Sequence, residues 1–282
     1  GVEILRQYGV PNYPFPERAA AALAAMSAYR RELERPIFEP QPCDTCIPIV
    51  RELFDKVRSE GRVSIGDLEA WEVLKAYDFP IPESRLAKTP DEAVAIAEEI
   101  GYPVVLKIAS PDILHKTDVG GVKVGLATGS DVRDAFELMS YRAERYVPGA
   151  RIWGCQAQQM VRGGREVLLG MSRDPQFGPL VAFGLGGIYV EALKDVAFRV
   201  APFSRQEAAE MIREIRSFPL LEGVRGEPPA DFEAMVDSLL KISRLVTDFP
   251  EIVELDINPL MVFDEGSGAM AIDMRLVLAP ES

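Results

Sequence analysis

The chain has 282 residues, with 31 Lys+Arg against 44 Asp+Glu for a formal charge of −13, and is 48% hydrophobic and 27% charged. These values exclude wholesale disorder. The acidic balance excludes a general nucleic-acid binder, which needs a basic footprint, but leaves room for a nucleotide in a locally basic pocket.

Residues 1–48 stand apart, with Pro11, Pro14, Pro16, Pro36, Pro40, Pro42 and Pro48 flanking an Ala-rich helix expected over about Glu17 to Leu33. Glu17 in its first turn and Arg30 and Arg31 in its last suit the helix dipole. The opening GVEILRQYGV carries Glu3 and is not expected to be a signal peptide; the stretch reads as the tail of an upstream domain followed by a linker. Cys43 and Cys46 form a C-x-x-C that is a redox pair, half a zinc site or neither. Zinc needs about four ligands, and Cys155 and His115 lie far off in sequence. Three thiols make no disulfide framework, so a reduced, cytoplasmic protein is expected. No apolar run reaches the roughly 18–20 residues of a membrane helix.

From residue 49 the pattern becomes regular. Ile49 to Glu60 reads as a helix stopped by Gly61. Ser64 to Asp67 reads as a capping start, with Ile65, Leu68, Trp71, Leu74 and Tyr77 on one helical face. Thr89 as N-cap, Pro90 at N1 and Glu92 at N3 open a helix that ends at Gly101. Pro103 to Ala109 and Val122 to Leu126 read as strands, and Ser130 as the cap of a helix to about Tyr141.

Arg151 to Met160 and Arg165 to Met171 read as strands joined by the turn at 162–164. Asp174 to Gly178 is a turn into a strand at Pro179 to Gly184, followed by a strand at Val196 to Ala201. Ser204 and Glu207 form a capping box for a helix to about Ser217, and an amphipathic helix is expected over Asp231 to about Thr247. Ile252 to Ile257, Leu260 to Phe263 and Ala269 to Asp273 read as closing strands. Strands in hairpins and helices in pairs favour an α+β fold, with helices on mostly antiparallel sheets.

Four places could carry chemistry. Lys107 puts an ammonium inside an apolar strand, where it meets an anion or snorkels out at the edge. His115, the single histidine, is a nucleophile or phosphoryl acceptor or else a satisfied structural His. Around it Ser110, Lys116, Thr117 and the amides near Gly120 and Gly121 offer phosphate donors. The glycines at 184, 186 and 187 form a phosphate-approaching turn or a plain one; neither a Rossmann fingerprint nor a P-loop is present. Glu254, Asp256 and Asn258 share one strand face by the period of two. With Asp273 they suit Mg²⁺ held together with substrate phosphates, or they are a solvated polar face.

The segments GYPVVLKIASPDILHKTDVGGVKVGL (101–126), QQMVRGGREVLLGMSRDPQFGPLVAFGLGGIYVEALKDVAFRVAP (158–202), VELDINPLMV (253–262) and AIDMRL (271–276) resemble the ATP-grasp subunit or domain of ADP-forming acyl-CoA synthetases, in the succinyl-CoA synthetase superfamily. The resemblance covers roughly residues 60–280. It implies an ATP-grasp fold of two α+β subdomains with nucleotide between them, preceded by a helical, Pro-rich linker. The boundaries would be a tail and linker over 1–48 and an ATP-grasp domain over 49–282, with subdomains at about 83–157 and 158–282.

The implied activity is an acid-thiol ligase, incomplete without CoA-binding domains, in which this part relays phosphate between a phosphohistidine and ADP. On motif position His115 is the relaying histidine and Lys107 contacts nucleotide phosphates, with Gly120 and Gly121 counted among the nucleotide-binding residues. Gln159, Met160 and Val161 match the hinge lining adenine, with Glu166 next to it. Asn258 and Asp273 match the Mg²⁺ ligands, with Asp256 as a helper. Implied partners are ATP or ADP and a CoA-binding ligase subunit or upstream domain, with neither nucleic acid nor membrane. The alternative from another class is a non-catalytic nucleotide-sensing module of a larger regulatory protein.

Overall fold

The computed structural model describes residues 1–34, 38, 46–113, 116–187, 195–224 and 226–280. The chain divides into two compact units, Gly1–Glu39 and Pro40–Ser282. The first holds α1 (Val2–Gln7) and α2 (Pro16–Leu33), the latter with the expected acid in its first turn and arginines in its last. Cys43 lies outside the described residues; Cys46 is buried at the start of α3. Among the described residues no helix is long and apolar enough to cross a membrane.

The second unit begins with α3 (Cys46–Ser59) and α4 (Asp67–Ala76) and then builds two antiparallel sheets. The smaller takes β1 (Ser84–Ala87), β2 (Val104–Ala109), β3 (Val122–Leu126) and β4 (Gly154–Gln159) in the order β1-β4-β2-β3. Helices α5 (Pro90–Ile100) and α6 (Gly129–Tyr146) cover one face, burying Val104, Leu106, Ile108, Cys155 and Ala157 against Ala93, Ala97, Val132 and Met139. The start of α5 follows its sequence: Thr89 accepts from the Glu92 N–H, Pro90 leads the first turn, and Gly101 at φ +94° lets the chain leave.

The larger sheet takes β5 (Arg165–Asp174), β6 (Gly178–Leu185), β7 (Val196–Val200), β8 (Ile252–Val262) and β10 (Met274–Leu278) in the order β10-β8-β5-β6-β7, with β9 (Ala269–Ala271) on β8. Helices α7 (Arg205–Glu214), α8 (Phe218–Leu221) and α9 (Phe232–Asp248) complete this half. Val167, Leu169, Phe183, Leu255 and Ile257 share one core with Val50, Phe54 and Leu74 of α3 and α4 and with Leu239 and Ile242 of α9. The opposite face of β8 carries Glu254, Asp256 and Asn258.

Several expectations are corrected. The cap of α4 is Gly66, whose N–H donates to Glu69 Oε2 at 2.7 Å, and Ser64 instead bridges Val277. The cap of α6 is Thr128, because it is extended and has an acid at N3: Asp131 accepts its N–H at 3.0 Å, whereas Ser130 lies inside the helix. The helix also runs on to Tyr146.

The strands flanking the 162–164 turn do not pair. β4 belongs to the small sheet and β5 to the large one, so the turn is a crossing between sheets. The two strands expected at 252–263 are one strand, β8, with its register against β5 shifted between Val167 and Leu169. The strand expected to end at Asp273 ends at Ala271, and β1 and β10 were not evident from the sequence because both are short segments paired with distant partners.

Candidate functional site

Strand β8 alternates as its sequence demands: Leu255 and Ile257 are fully or almost fully buried in the core, while Asp256 and Asn258 point to the other face. Asp273 joins them because the Asn258 N–H donates to its carbonyl at 3.2 Å in the link between β9 and β10. Asp256, Asn258 and Asp273 line one cleft with Asp67, Ser110 and Lys116. Glu254, on the same strand face, is exposed and pairs with Arg275 at 3.5 Å; it does not line the cleft. Burial pushes the Asp256 carboxyl up to about 6; Asp273 and Glu254 add to the shift and Arg275 opposes it.

Lys107 comes to the same region from the small sheet. The period of β2 that sends Leu106 and Ile108 into the helix-covered core sends Lys107 to the opposite face. Its side chain is buried, not snorkelled. The ammonium donates to the Ile272 carbonyl at 3.0 Å and lies 3.7 Å from Asp273 Oδ1. On β4, Gln156 opposes Lys107 and Gln158 opposes Val105. Both glutamines are buried, each with an Oε1 lacking a hydrogen-bond partner among the described residues. Sequence reasoning missed them; two polar residues at i, i+2 in an otherwise apolar strand were the available signal.

The loop between β2 and β3 differs from expectation in its donors. The Gly120 N–H is used by the Thr117 carbonyl at 3.0 Å and the Gly121 N–H by the Lys116 carbonyl at 2.7 Å. These amides close the turn; they are not free phosphate donors. Gly121 is required by space, since a Cβ there would come 2.6 Å from Ile108 Cγ2. The loop's charged group in the cleft is Lys116, held by Asp67 at 2.6 Å. Burial pushes the Asp67 carboxyl up, Asp273 adds to that, and Lys116 and Lys107 oppose it. Asp67 was not singled out from sequence, because it opens a helix 49 residues from its partner. His115 lies outside the described residues.

Gln159 ends β4, its N–H donating to the Glu83 carbonyl at 2.8 Å, and Met160 and Val161 follow in the crossing between the sheets. Glu166 is on β5 and lines a second pocket with Leu185, Gly186, Gly187 and Leu220. A Cβ on Gly186 would fall 3.0 Å from the Glu166 backbone carbonyl carbon, so the glycine turn packs closely on β5 at this residue. The structure thus brings Lys107, Asp256, Asn258 and Asp273 together and puts Glu166 in a separate pocket.

Among the described residues no three His, Cys, Asp or Glu side chains are close enough to hold a metal by themselves. The cleft instead offers hard oxygens from Asp256, Asn258 and Asp273. That donor set fits Mg²⁺, which keeps waters and takes its other ligands from phosphates.

Residues 56–278 match the ATP-grasp domain family. The β subunit of the ADP-forming acetate–CoA ligase I of Pyrococcus furiosus is 48% identical over 228 residues, covering 81% of this chain and 97% of that subunit. The ADP-forming acetate–CoA ligase I of Archaeoglobus fulgidus is 44% identical over 279 residues, covering 99% of this chain and 40% of that protein. The chain therefore spans less than half the length of this longer relative.

Among solved structures, the dinucleotide forming acetyl-coenzyme A synthetase 1 of Ca. Korarchaeum cryptofilum, in complex with coenzyme A and Ca-AMPCP, matches with a TM-score of 0.78 and 44% identity over 81% of this chain and 99% of that one. The same synthetase with Mg-AMPPCP, its phosphohistidine segment pointing towards the nucleotide-binding site, matches with a TM-score of 0.71 and 40% identity over 82% and 100% of the two chains. The chain belongs to the ATP-grasp family, in the branch formed by the β subunits and domains of ADP-forming acyl-CoA synthetases.

Proposed function

We propose that this chain is the nucleotide-binding, phosphoryl-transferring part of an ADP-forming acyl-CoA synthetase. The observation that carries the reading is the convergence of Lys107 from one sheet with Asp256, Asn258 and Asp273 from the other, beside the loop whose sequence contains His115. Phosphoryl transfer needs positioned groups and charge neutralisation more than covalent machinery, and this constellation supplies both.

In this reading Lys107 neutralises nucleotide phosphate, and Gln159, Met160 and Val161 line the adenine at the crossing between the sheets. Glu166, in its separate pocket, is carried over from the motif as the glutamate next to that hinge, and Asn258 and Asp273, helped by Asp256, hold Mg²⁺. When bound, the metal neutralises and orients phosphate oxygens. A CoA-binding part, carried on a separate subunit or on an upstream domain, forms the acyl phosphate and passes its phosphoryl group to a histidine of its own. The phosphoryl group then moves to an imidazole nitrogen of His115, one N–P bond forming as the other breaks. It leaves for the terminal oxygen of ADP, giving ATP and the free imidazole. Neutral imidazole suits this role because it is nucleophilic near pH 7 and releases phosphate readily.

The test is the reverse half-reaction. With Mg²⁺ and ATP labelled in its γ-phosphate, the wild-type chain acquires acid-labile label on His115, and His115→Gln acquires none. Equal labelling of the variant, or none of the wild type, overturns the relay.

A further inference from the structure

We propose that Asp67 is a positioning residue of the cleft, holding the Lys116 ammonium where a transferring phosphoryl group is received. This deepens the reading above and rests on it.

Asp67 is the first residue of α4, and its backbone is fixed from behind. Glu69 of the same turn accepts the Gly66 N–H at 2.7 Å and binds Arg62 through two hydrogen bonds of 2.9 and 2.6 Å. The Arg62 guanidinium lies over the Trp153 ring, 5.8 Å from its centroid. From this anchored turn Asp67 Oδ1 accepts from Lys116 Nζ at 2.6 Å, with side chains only 15% and 12% exposed. An ion pair so withdrawn from water holds its geometry far better than a surface pair.

Two features separate this pair from a merely structural one. Asp67 Oδ2 is buried and has no hydrogen-bond partner among the described residues. A buried carboxylate oxygen without a protein partner calls for one, here an N–H, water or ion in the cleft it lines. The Lys116 ammonium has three N–H donors, and among the described residues the one hydrogen bond it makes goes to Asp67. Both side chains line the cleft that holds Asp256, Asn258 and Asp273. The nearby backbone amides of Gly120 and Gly121 are already used in the turn, and among the described residues of the loop the cationic donor lining the cleft is this ammonium. Held by Asp67, Lys116 has its rotamer fixed before the phosphoryl group arrives, and its remaining N–H groups serve an oxygen of that group.

The experiment compares Asp67→Asn, Lys116→Met, Lys116→Arg and the Asp67→Asn/Lys116→Met double variant. It reads the rate of His115 labelling from γ-labelled ATP, the ADP dissociation constant by calorimetry and the thermal midpoint. Asp67→Asn and Lys116→Met are each expected to slow labelling about 10- to 100-fold, as loss of a charged hydrogen bond does, with ADP affinity changed less than about threefold. Lys116→Arg regains part of the rate, and the double variant is no slower than the slower single one, because the two residues act as a unit.

Labelling of Asp67→Asn at the wild-type rate, or slowing in the two singles that multiplies in the double, overturns the inference. Should Asp67→Asn fold poorly, Lys116→Met at the wild-type rate does the same. A wild-type chain that stays unlabelled overturns the relay reading and this inference with it; a labelled wild type beside an unaffected Asp67→Asn overturns this inference alone.

Discussion

Lys107 Nζ lies 3.7 Å from Asp273 Oδ1 while donating to the carbonyl of the preceding residue, Ile272, at 3.0 Å. One buried cation thereby ties the small sheet to the polar end of the large one. Replacing Lys107 with Met removes that cation and leaves the Ile272 carbonyl without this donor. The expected outcome is ADP binding weakened about 10- to 100-fold, the value of a charged hydrogen bond, read by calorimetry. Asp273→Ala is expected to weaken Mg²⁺-dependent nucleotide binding far more than metal-free binding; equal losses would remove Asp273 from the cation site.

Arg62 and Glu69 form a buried pair, with the guanidinium over the Trp153 ring. Breaking such a pair from one side costs about 3–5 kcal/mol where the remaining charge is uncompensated, and less here because Arg62 also pairs with Glu60 at 2.8 Å. Both variants are expected below that range, with Glu69→Gln the milder, since the amide keeps one acceptor for Arg62, and Glu69→Ala the more costly. Urea unfolding checks both. Because this turn carries Asp67, Glu69→Ala is also expected to slow phosphoryl labelling in protein that remains folded.

Gly121 is set by the close approach of Ile108 and the Lys116 carbonyl, at 2.6 and 3.0 Å from a built Cβ. Gly121→Ala forces the loop away from β2 and is expected to cost about 1–3 kcal/mol as an overpacking substitution. Gly125→Ala, at the exposed end of β3, meets nothing within 4 Å but sits at φ +75°, so its cost is backbone strain alone. Nucleotide binding measured on both variants separates the two effects: only Gly121→Ala should disturb it.

Burial pushes the Cys155 thiol up to about 12, with a Ser140 hydrogen bond opposing the shift. At pH 8 about one molecule in ten thousand carries the thiolate there. Iodoacetamide at pH 8 is expected to leave Cys155 unmodified in folded protein and to alkylate it in urea, as peptide mapping would show. The sign for stability follows from the raised value. The buried neutral thiol favours the folded state below the ordinary value of 9.0, and that contribution is lost as pH rises through about 12.

Local sequence determined what depends on local rules. The Thr89-Pro90-Glu92 start and Gly101 stop of α5 and the Ser204–Glu207 box of α7 were legible because capping needs only neighbours within one turn. The alternation that turns Asp256 and Asn258 away from Leu255 and Ile257 was legible for the same reason, and motif order pointed to the family. The tertiary structure alone decided what depends on pairing across long separations. It put β4 and β5 in different sheets across the five-residue link 160–164, and added β1 and β10, whose strand character comes from distant partners. It committed the Gly120 and Gly121 amides to their own turn and brought Asp67 to Lys116. A side chain's period is written in its neighbours, whereas the partner it meets is fixed only when the sheets close on each other and water is expelled between them.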